Sequence, residues 1–380
     1  MRKMQQLGLS LIELMVSLGI GAFLVLGVTT VFLANRDSAE VENSLARLQE
    51  NGRFALDVIR DDLFQAQYLG CNTGEVFVVN MIDDPNSVGF VNSIEGIRGY
   101  ERDGSGAFAA VPAATDLAGA ITAAEAAQGA RNGSDILRIR TIDLMNSDDP
   151  NDPLLTAMVL PSSTTISIDD NRDCDIEQNS QVVLTGCNLT AHLFEVTNAQ
   201  TCNAATPPNP TTLEFDNSAN FTTTINNTYD TESQILLFED AIWFVADTLR
   251  DRNGFDVWAL YRDVESDGLA PQEMIEGVEH MQVKFGQQVP GSTSIRYVDP
   301  SDAELNTGIN ADGVVSVRVA LLMQSFDPVR NSDDQRVYVL IDEQVGIATA
   351  TGFQGGLHSS GRVQREVFTT TVMLRNAPEV

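Results

Sequence analysis

The chain has 380 residues, 43% of them hydrophobic, which is enough for one large domain or two modest ones with a buried core. It carries 23 Lys and Arg against 53 Asp and Glu, and the net charge of −30 disfavours binding to nucleic acid through a broad basic surface. Composition thus argues against a mainly disordered chain and against a nucleic-acid partner.

The amino terminus predicts a membrane-spanning helix. Arg2 and Lys3 precede residues 14–34, which are all uncharged and mostly apolar. At about 1.5 Å per residue this segment spans roughly 30 Å, the thickness of a hydrocarbon core. Basic residues before it and acidic residues after it predict that the short end stays in the cytoplasm and the long end is exported. A cleaved secretory signal is the alternative, but the apolar run is too long and no A-x-A site follows it.

Glu13 lies at the start of this apolar segment. A carboxylate in hydrocarbon costs about 2.5 to 3.5 kcal/mol at mid-membrane on insertion scales, and less near the edge. Glu13 therefore either reaches the lipid headgroups or meets a positive partner.

The sequence G-L-S-L-I-E, from Gly8 to Glu13, precedes the apolar run and resembles the class III signal peptide of type IV pilins and type II secretion pseudopilins. The resemblance implies that a prepilin peptidase cleaves between Gly8 and Leu9 and methylates the new amino group of Leu9. Glu13 then neutralises the amino terminus of a neighbouring subunit during assembly. Leu9 stands where Phe is commonest, and Thr30 where many major pilins have a helix-bending Pro.

An amphipathic helix continues from this segment. Apolar residues recur at steps of three and four from Val41 to Ala66, and acidic and basic residues occupy the other faces. Gly52 could mark a bend, and Gly70 could end the helix. The stretch A-R-L-Q-E-N-G-R-F-A-L-D-V-I-R-D-D-L resembles the stem of PilW-type minor pilins, which are related to the J-type pseudopilins of type II secretion.

The rest of the chain predicts a largely antiparallel, β-rich domain packed on the helix, and so an α+β fold. A surface helix is predicted near residues 118–127, and a long exposed loop over residues 203–232. The predicted strands are residues 76–82, 136–142, 182–185, 193–196, 235–238, 242–245, 257–261, 278–285, 314–323, 337–341 and 367–374.

Three carboxyl-terminal segments, residues 274–286, 314–325 and 365–376, also resemble the PilW type. The predicted organisation is a leader (residues 1–8), a transmembrane assembly helix (9–35), an amphipathic stem helix (36–70) and a periplasmic domain (71–380). Within that domain, residues 73–231 match no family and form a variable part, whereas residues 232–380 are family-like.

Cys71, Cys174, Cys187 and Cys202 form an even set in polar surroundings, which predicts disulfides in an oxidising compartment and leaves three pairings open. The sequence contains no C-x-x-C motif, so a zinc site or a redox site is not predicted.

Asp263, Glu265 and Asp267 alternate before a Gly, as in the first half of a calcium loop. The twelfth position of that loop would be Met274, so an acidic turn is the favoured interpretation. The sequence therefore predicts no cofactor, with a calcium ion at this loop as the alternative.

Enzymatic chemistry is not expected. His192, His280 and His358 lie far apart, and no Ser or Cys stands in a nucleophile motif. His280 falls in a predicted strand, which favours a structural role.

These patterns together predict a minor pilin that primes assembly of a type IV pilus or forms its tip complex. Its expected partners are other minor pilins, the major pilin, the prepilin peptidase and the inner-membrane assembly machinery. The expected location is the bacterial inner membrane, with a single span, the carboxyl-terminal domain in the periplasm, and later incorporation into the pilus. The alternatives are a J-like pseudopilin of type II secretion, a tip adhesin that uses residues 73–231, and a membrane-tethered protein unrelated to pili.

Overall fold

The computed structural model describes residues 11–66, 68, 77–82, 96–102, 130–143, 155, 158–168, 176–186, 190–198, 211–252, 254–264, 270–289, 291–301, 314–347, 356–358 and 361–375. These residues form one long helix and a mostly antiparallel β-rich domain, so the predicted α+β class is confirmed.

The helix α1 runs without interruption over Leu11–Gln65 and contains 55 residues. It contains no proline, and the predicted transmembrane and stem segments are continuous in it. It ends at Gln65, five residues before the end predicted at Gly70. At the observed end, the Ala66 N–H donates a hydrogen bond to the Asp62 carbonyl at 3.1 Å.

The strands follow the helix in chain order. They are β1 (Phe77–Asn80), β2 (Ile97–Tyr100), β3 (Ile136–Asp143), β4 (Thr165–Ile168), β5 (Gln181–Thr185), β6 (Thr190–Glu195), β7 (Thr211–Glu214), β8 (Gln234–Arg252), β9 (Phe255–Val264), β10 (Gln272–Glu276), β11 (Val278–Gln288), β12 (Ile295–Val298), β13 (Val314–Gln324), β14 (Tyr338–Leu340), β15 (Glu343–Gly346), β16 (Gly356–Leu357) and β17 (Arg365–Met373).

An eight-stranded sheet has the order β1-β6-β5-β8-β3-β2, with β9 on β8 and β10 on β9. All of its pairs are antiparallel except β1 with β6. The predicted strands 235–238 and 242–245 are one strand, β8, because the chain continues extended through Glu239 and Asp240, which face β3.

A second, four-stranded sheet has the order β12-β11-β13-β17 and is antiparallel throughout. Two small sheets complete the described fold, β14-β15-β16 and β4-β7. The main hydrophobic core combines one face of α1 with residues of both large sheets.

The prediction of an exposed loop over residues 203–232 is wrong for much of that segment. Strand β7 pairs with β4, and the side chains of Phe215, Ile225 and Tyr229 are buried with relative exposures of 1%, 0% and 1%. These apolar residues are too widely spaced for a local pattern to mark them, and they join a separate core that includes Phe194. Residues 203–210 and the helix predicted near 118–127 lie outside the described residues.

Candidate functional site

The first half of α1 is an apolar helix that the described part of the domain leaves uncovered. It is long and apolar enough to cross a membrane, and none of its most apolar window is buried. Burial of such surface is favourable by about 25 cal/mol per Å², so its covering must come from outside the described fold. The exposed large side chains are Leu11, Ile12, Leu14, Met15, Val16, Leu18, Ile20, Phe23, Leu24, Val25, Leu26, Val28, Val31, Phe32 and Leu33.

Polar side chains in this half bond the helix itself. The hydroxyl of Ser17 donates to the Leu14 carbonyl at 2.9 Å, and that of Thr29 donates to the Val25 carbonyl at 2.7 Å. Thr30 bonds its preceding turn in the same way. Hydroxyls that are satisfied within the helix can enter hydrocarbon without a lost hydrogen bond.

Glu13 lies in the first described turn of α1 and is exposed. It is the only charged residue between positions 11 and 35. The first half of the helix therefore exposes an apolar surface with a single carboxylate.

The second half of α1 docks on the β domain. Its buried residues are spaced by three or four positions, which places them on one helix face. This face packs against β13, β17, β3 and β10. The buried positions are Ser44, Leu48, Gly52, Ala55, Ile59 and Leu63.

Gly52 is a point of close approach between the helix and the second sheet. A Cβ atom at this position would lie 2.6 Å from the ring of Phe368 in β17. The sequence suggested a bend at Gly52, but the helix continues through this residue. The glycine instead leaves room for the Phe368 ring.

A polar contact fixes the carboxyl-terminal end of the helix. The indole N–H of Trp243 and the guanidinium of Arg262 both donate to Asp62 Oδ2, at 2.8 and 3.0 Å. Arg262 also pairs with Glu239 at 2.8 Å. Burial raises the pKa of Asp62, while Arg262 and Trp243 oppose that rise. We call Asp62, Trp243 and Arg262 the helix latch.

A buried charge cluster supports the sheet beneath the helix. Arg365 of β17 and Glu279 of β11 form an ion pair with both side chains fully buried, and Arg365 also lies 3.4 Å from Asp334. Burial alone would raise the pKa of Glu279, but the charge and hydrogen bonds of Arg365 outweigh it and lower that pKa to about 2. Loss of either partner would leave an uncompensated buried charge.

The histidines have structural surroundings. His280 is buried, and its Nε2 lies 3.0 Å from Arg131 Nε and 2.6 Å from the Leu357 carbonyl oxygen. Burial and the charge of Arg131 lower the pKa of His280 to about 3. His192 contacts the Tyr229 hydroxyl at 2.6 Å. His358 is buried as well, and its Nε2 lies 2.8 Å from the Arg336 carbonyl oxygen. These contacts account for all three buried rings as parts of the folded domain.

Several predicted site residues lie outside the described residues: Gly8, Leu9, Cys71, Cys174, Cys187, Cys202, Glu265 and Asp267. Asp263, at the end of β9, is described and is 8% exposed. Within the described ranges, no three His, Cys, Asp or Glu side chains are grouped to bind a metal ion.

Sequence reasoning missed the helix latch and the contact of Gly52. Asp62 occupies an edge of the apolar helix face, a position where a carboxylate needs a polar partner. That signal was readable in the sequence. The partners were not, since Trp243 and Arg262 are 181 and 200 residues away along the chain.

The fold and its uncovered helix define a class of protein: a β-rich domain docked on one long helix whose apolar half is left for a membrane or for other helices. Residues 248–376 match the family model PilW, described as Type IV Pilus-assembly protein W. This match to the carboxyl-terminal third of the chain supports a PilW-type assignment, and the resemblance inferred from the sequence is confirmed there. No curated protein and no solved structure matches the chain significantly.

The PilW match covers much of the part of the domain that contacts the helix, but not β3 or Trp243. It begins in β8 and ends just after β17, so it includes Arg262, Glu279 and Phe368. A role related to type IV pilus assembly follows from the family.

Proposed function

We propose that the protein is a minor pilin that primes assembly of a type IV pilus or forms part of its tip complex. A prepilin peptidase cleaves the chain between Gly8 and Leu9 and methylates Leu9. The mature helix then enters the helical bundle of the growing pilus, with the domain on the periplasmic side and no enzymatic step of its own.

The observation that carries this proposal is the contrast along α1. Over residues 11–33 the large apolar side chains are exposed, whereas the second half is buried against a PilW-type domain. A helix of this kind has one end committed to its own domain and the other available to a membrane and to neighbouring helices.

Glu13 supplies the charge of the assembly contact. In an apolar bundle, the amino group of a processed subunit and the carboxylate of its neighbour each lose water, and each is stabilised by the other. Because Glu13 is the only charged residue in this half, its loss has no substitute within the helix.

The docked half gives the helix a fixed attachment to the domain. The helix latch holds the carboxyl-terminal end and the Gly52 contact holds the middle of the docked segment. We infer that other minor pilins and the major pilin meet the domain in an orientation set by this attachment.

The first test is the intact mass and amino-terminal sequence of the membrane-extracted protein, with and without a co-expressed prepilin peptidase. A start at Leu9 that depends on the peptidase and carries one added methyl group is the expected result. A Met1 start in both samples would show that the protein is not processed as a pilin.

The second test replaces Glu13. The Glu13→Ala variant should insert in the membrane and abolish pilus assembly, counted by electron microscopy, while Glu40→Ala, on the exposed stem of the same helix, should leave pilus number unchanged. If deletion of the chain stops type II secretion and leaves pili intact, the protein is a J-like pseudopilin. If Glu13→Ala changes neither process, the assembly role is refuted.

A further inference from the structure

The three-stranded sheet β14-β15-β16 lies on the face of the four-stranded sheet that is opposite the helix. Val319 and Leu321 of β13 belong to the main core, together with residues of α1. Ala320 and Leu322, which alternate with them, pack instead with Leu340 of the small sheet. Because successive side chains of a strand point to opposite faces, the layers follow in the order α1, four-stranded sheet, small sheet.

The outer face of the small sheet exposes aliphatic side chains. Val339 of β14 is paired with Gln344 of β15, and Gly346 of β15 is paired with Leu357 of β16. Paired residues project from the same face, and so do alternate residues of a strand, so Val339 and Leu357 lie on one face. Val339 is 54% exposed and Leu357 is 40% exposed, and Val337, two residues before Val339, is 52% exposed. We call Val337, Val339 and Leu357 the outer apolar face.

Carboxylates border this face at the turn between β14 and β15. Lys284 Nζ lies 2.8 Å from Asp299 Oδ1 and also bonds Asp342, and the side chains of these two acids are 44% and 60% exposed. Glu343 directly follows Asp342 in the chain. Partial burial and neighbouring carboxylates raise the pKa of Glu343, although Lys284 opposes the rise. Those neighbouring carboxylates are Asp342, Glu101 and Asp299, so four carboxylates lie around one ammonium group.

Two further cations near the small sheet have other partners. Arg336, which precedes β14, pairs with the buried Asp334 at 2.9 Å. The guanidinium carbon of Arg318, next to Lys284 across the β11–β13 ladder, lies 3.8 Å from the centre of the Tyr297 ring. The border of the outer apolar face at the β14–β15 turn is therefore negative.

The turn itself is strained. Ile341 has a φ of +61°, in the left-handed region that a β-branched residue rarely adopts. The turn places Asp342 against Lys284 and Glu343 beside the other carboxylates. Strained residues persist where the surrounding structure holds them, and they concentrate at functional sites such as ligand clamps. The conformation of this turn therefore points to a use of its carboxylates beyond folding.

The charge of the chain limits what can cover this surface. A second copy carries the same net charge of −30 and the same carboxylates, so pairing of two copies here would bring like charges together. Nucleic acid and anionic lipid headgroups are repelled for the same reason. A protein that presents an apolar side chain between Lys or Arg residues would both cover the outer apolar face and neutralise the carboxylates at its border.

Resting on the proposed function and extending it, we propose that the outer apolar face and the carboxylates of Asp342 and Glu343 form a docking surface for a different, basic subunit of the assembly. An apolar side chain of that partner lies on Val339, and its Lys or Arg side chains meet the two carboxylates. Because the small sheet lies on the side of the domain away from α1, the partner docks without displacing the helix. Contact with one unlike partner agrees with a subunit present in few copies.

The test uses the full-length protein in cells that carry the pilus machinery. Val339 is replaced by p-benzoylphenylalanine, and the cells are irradiated. Met158, which is 56% exposed and lies outside the PilW match, carries the same group as the matched control. A cross-link from position 339 to one protein other than the chain itself is expected, with no cross-link to that protein from position 158. Mass spectrometry of the adduct identifies the linked segment, which should place Lys or Arg beside an apolar residue.

A charge exchange separates recognition from simple proximity. Glu343→Lys should lower the yield of the cross-link about tenfold, because like charges then meet at the turn. Glu214→Lys makes the same change in net charge at an exposed position of β7 and should leave the yield unchanged. Replacement of the Lys or Arg of the linked segment by Glu should restore the yield in the Glu343→Lys background. Damage to the turn alone would not be repaired by a change in the partner.

Four results would each overturn the docking surface: no cross-link from position 339, a cross-link to a second copy or to phospholipid, equal yields in Glu343→Lys and Glu214→Lys, or no restoration by the exchange. Amino-terminal processing and the effect of Glu13→Ala test the proposed function independently. Normal processing and loss of pili in Glu13→Ala without the cross-link would refute the docking surface alone. The cross-link and its charge exchange in a protein that keeps its Met1 start would refute the proposed function alone.

Discussion

The two halves of α1 follow the same local rules and have opposite surroundings. Ile20 in the first half is 58% exposed, whereas Ile59 in the second half is 0% exposed. Both are isoleucines in one uninterrupted helix, so helix formation does not explain the difference. The second half meets a sheet of its own chain, and the first half has to find its covering in a membrane or in other subunits.

This division separates folding from assembly. Changes in the docked half should alter the stability of the domain, and changes in the exposed half should alter assembly while leaving the domain folded. The following predictions test that separation, from the largest expected effect to the smallest.

Truncation of an equivalent isoleucine in each half gives the widest contrast. Ile59→Ala should lower the free energy of unfolding by about 2 to 5 kcal/mol, because it opens a cavity in the core, whereas Ile20→Ala should change it by less than about 0.5 kcal/mol. Chemical unfolding of the full chain in detergent micelles, followed by tryptophan fluorescence, measures both values. Equal losses for the two variants would contradict docking of the second half.

Acid should weaken the sheet on which the helix docks. Because the folded-state pKa of Glu279 lies at about 2, below the ordinary value of 4.5 for a glutamate, its stabilisation is complete above about pH 4.5 and is lost as the pH falls towards 2. A shift of this size corresponds to about 3 kcal/mol for the buried pair. The free energy of unfolding, measured across this range, should decrease as the pH decreases.

The Glu279→Gln variant should be less stable at pH 7 and should show a smaller loss of stability on acidification. Glu366→Gln, on the neighbouring half-buried position of β17, provides the control. If Glu279→Gln and the parent protein have the same slope of stability against pH, the ion pair with Arg365 does not contribute as described.

Gly52 distinguishes close packing from helix flexibility. Gly52→Ala places a Cβ against the Phe368 ring and should cost about 1 to 3 kcal/mol through overpacking, although alanine favours the helix. Gly27→Ala is the control, because no atom beyond the adjoining backbone of the helix lies within 4 Å of the Cβ position at Gly27. Thermal unfolding of both variants decides between the two roles, and Phe368→Leu should restore part of the lost stability in the Gly52→Ala background.

Removal of the helix latch should have the smallest effect on stability. Asp62→Ala leaves the Trp243 N–H and the Arg262 guanidinium without this acceptor, at a cost of about 1 to 2 kcal/mol. Asp61→Ala, whose carboxylate is 66% exposed, should cost almost nothing. A change in Trp243 fluorescence in Asp62→Ala alone would locate the effect at the latch, and identical spectra and stabilities in the two variants would rule it out.

Local sequence patterns predicted many of the elements. The helix, the exposed apolar half with Glu13, and strands such as β3, β11 and β13 follow from hydrophobic periodicity within short windows. These patterns work because the side-chain spacing of a helix or strand is repeated in the sequence itself. Three inferences remain predictions: that the protein serves a type IV pilus and not a type II secretion system, that the cysteines form disulfides, and that the leader is cleaved after Gly8.

Long-range contacts were decided only by the tertiary structure. The latch joins Asp62 to residues of β8 and β9, and Gly52 meets Phe368 near the far end of the chain. The burial of Phe215 and Tyr229 likewise depends on a core that distant strands complete. Sequence alone determined that α1 forms and that one half is largely apolar with a single charge at Glu13, because these properties depend on neighbouring residues. Which half is covered depends on a sheet whose order and edges arise only when distant segments pair.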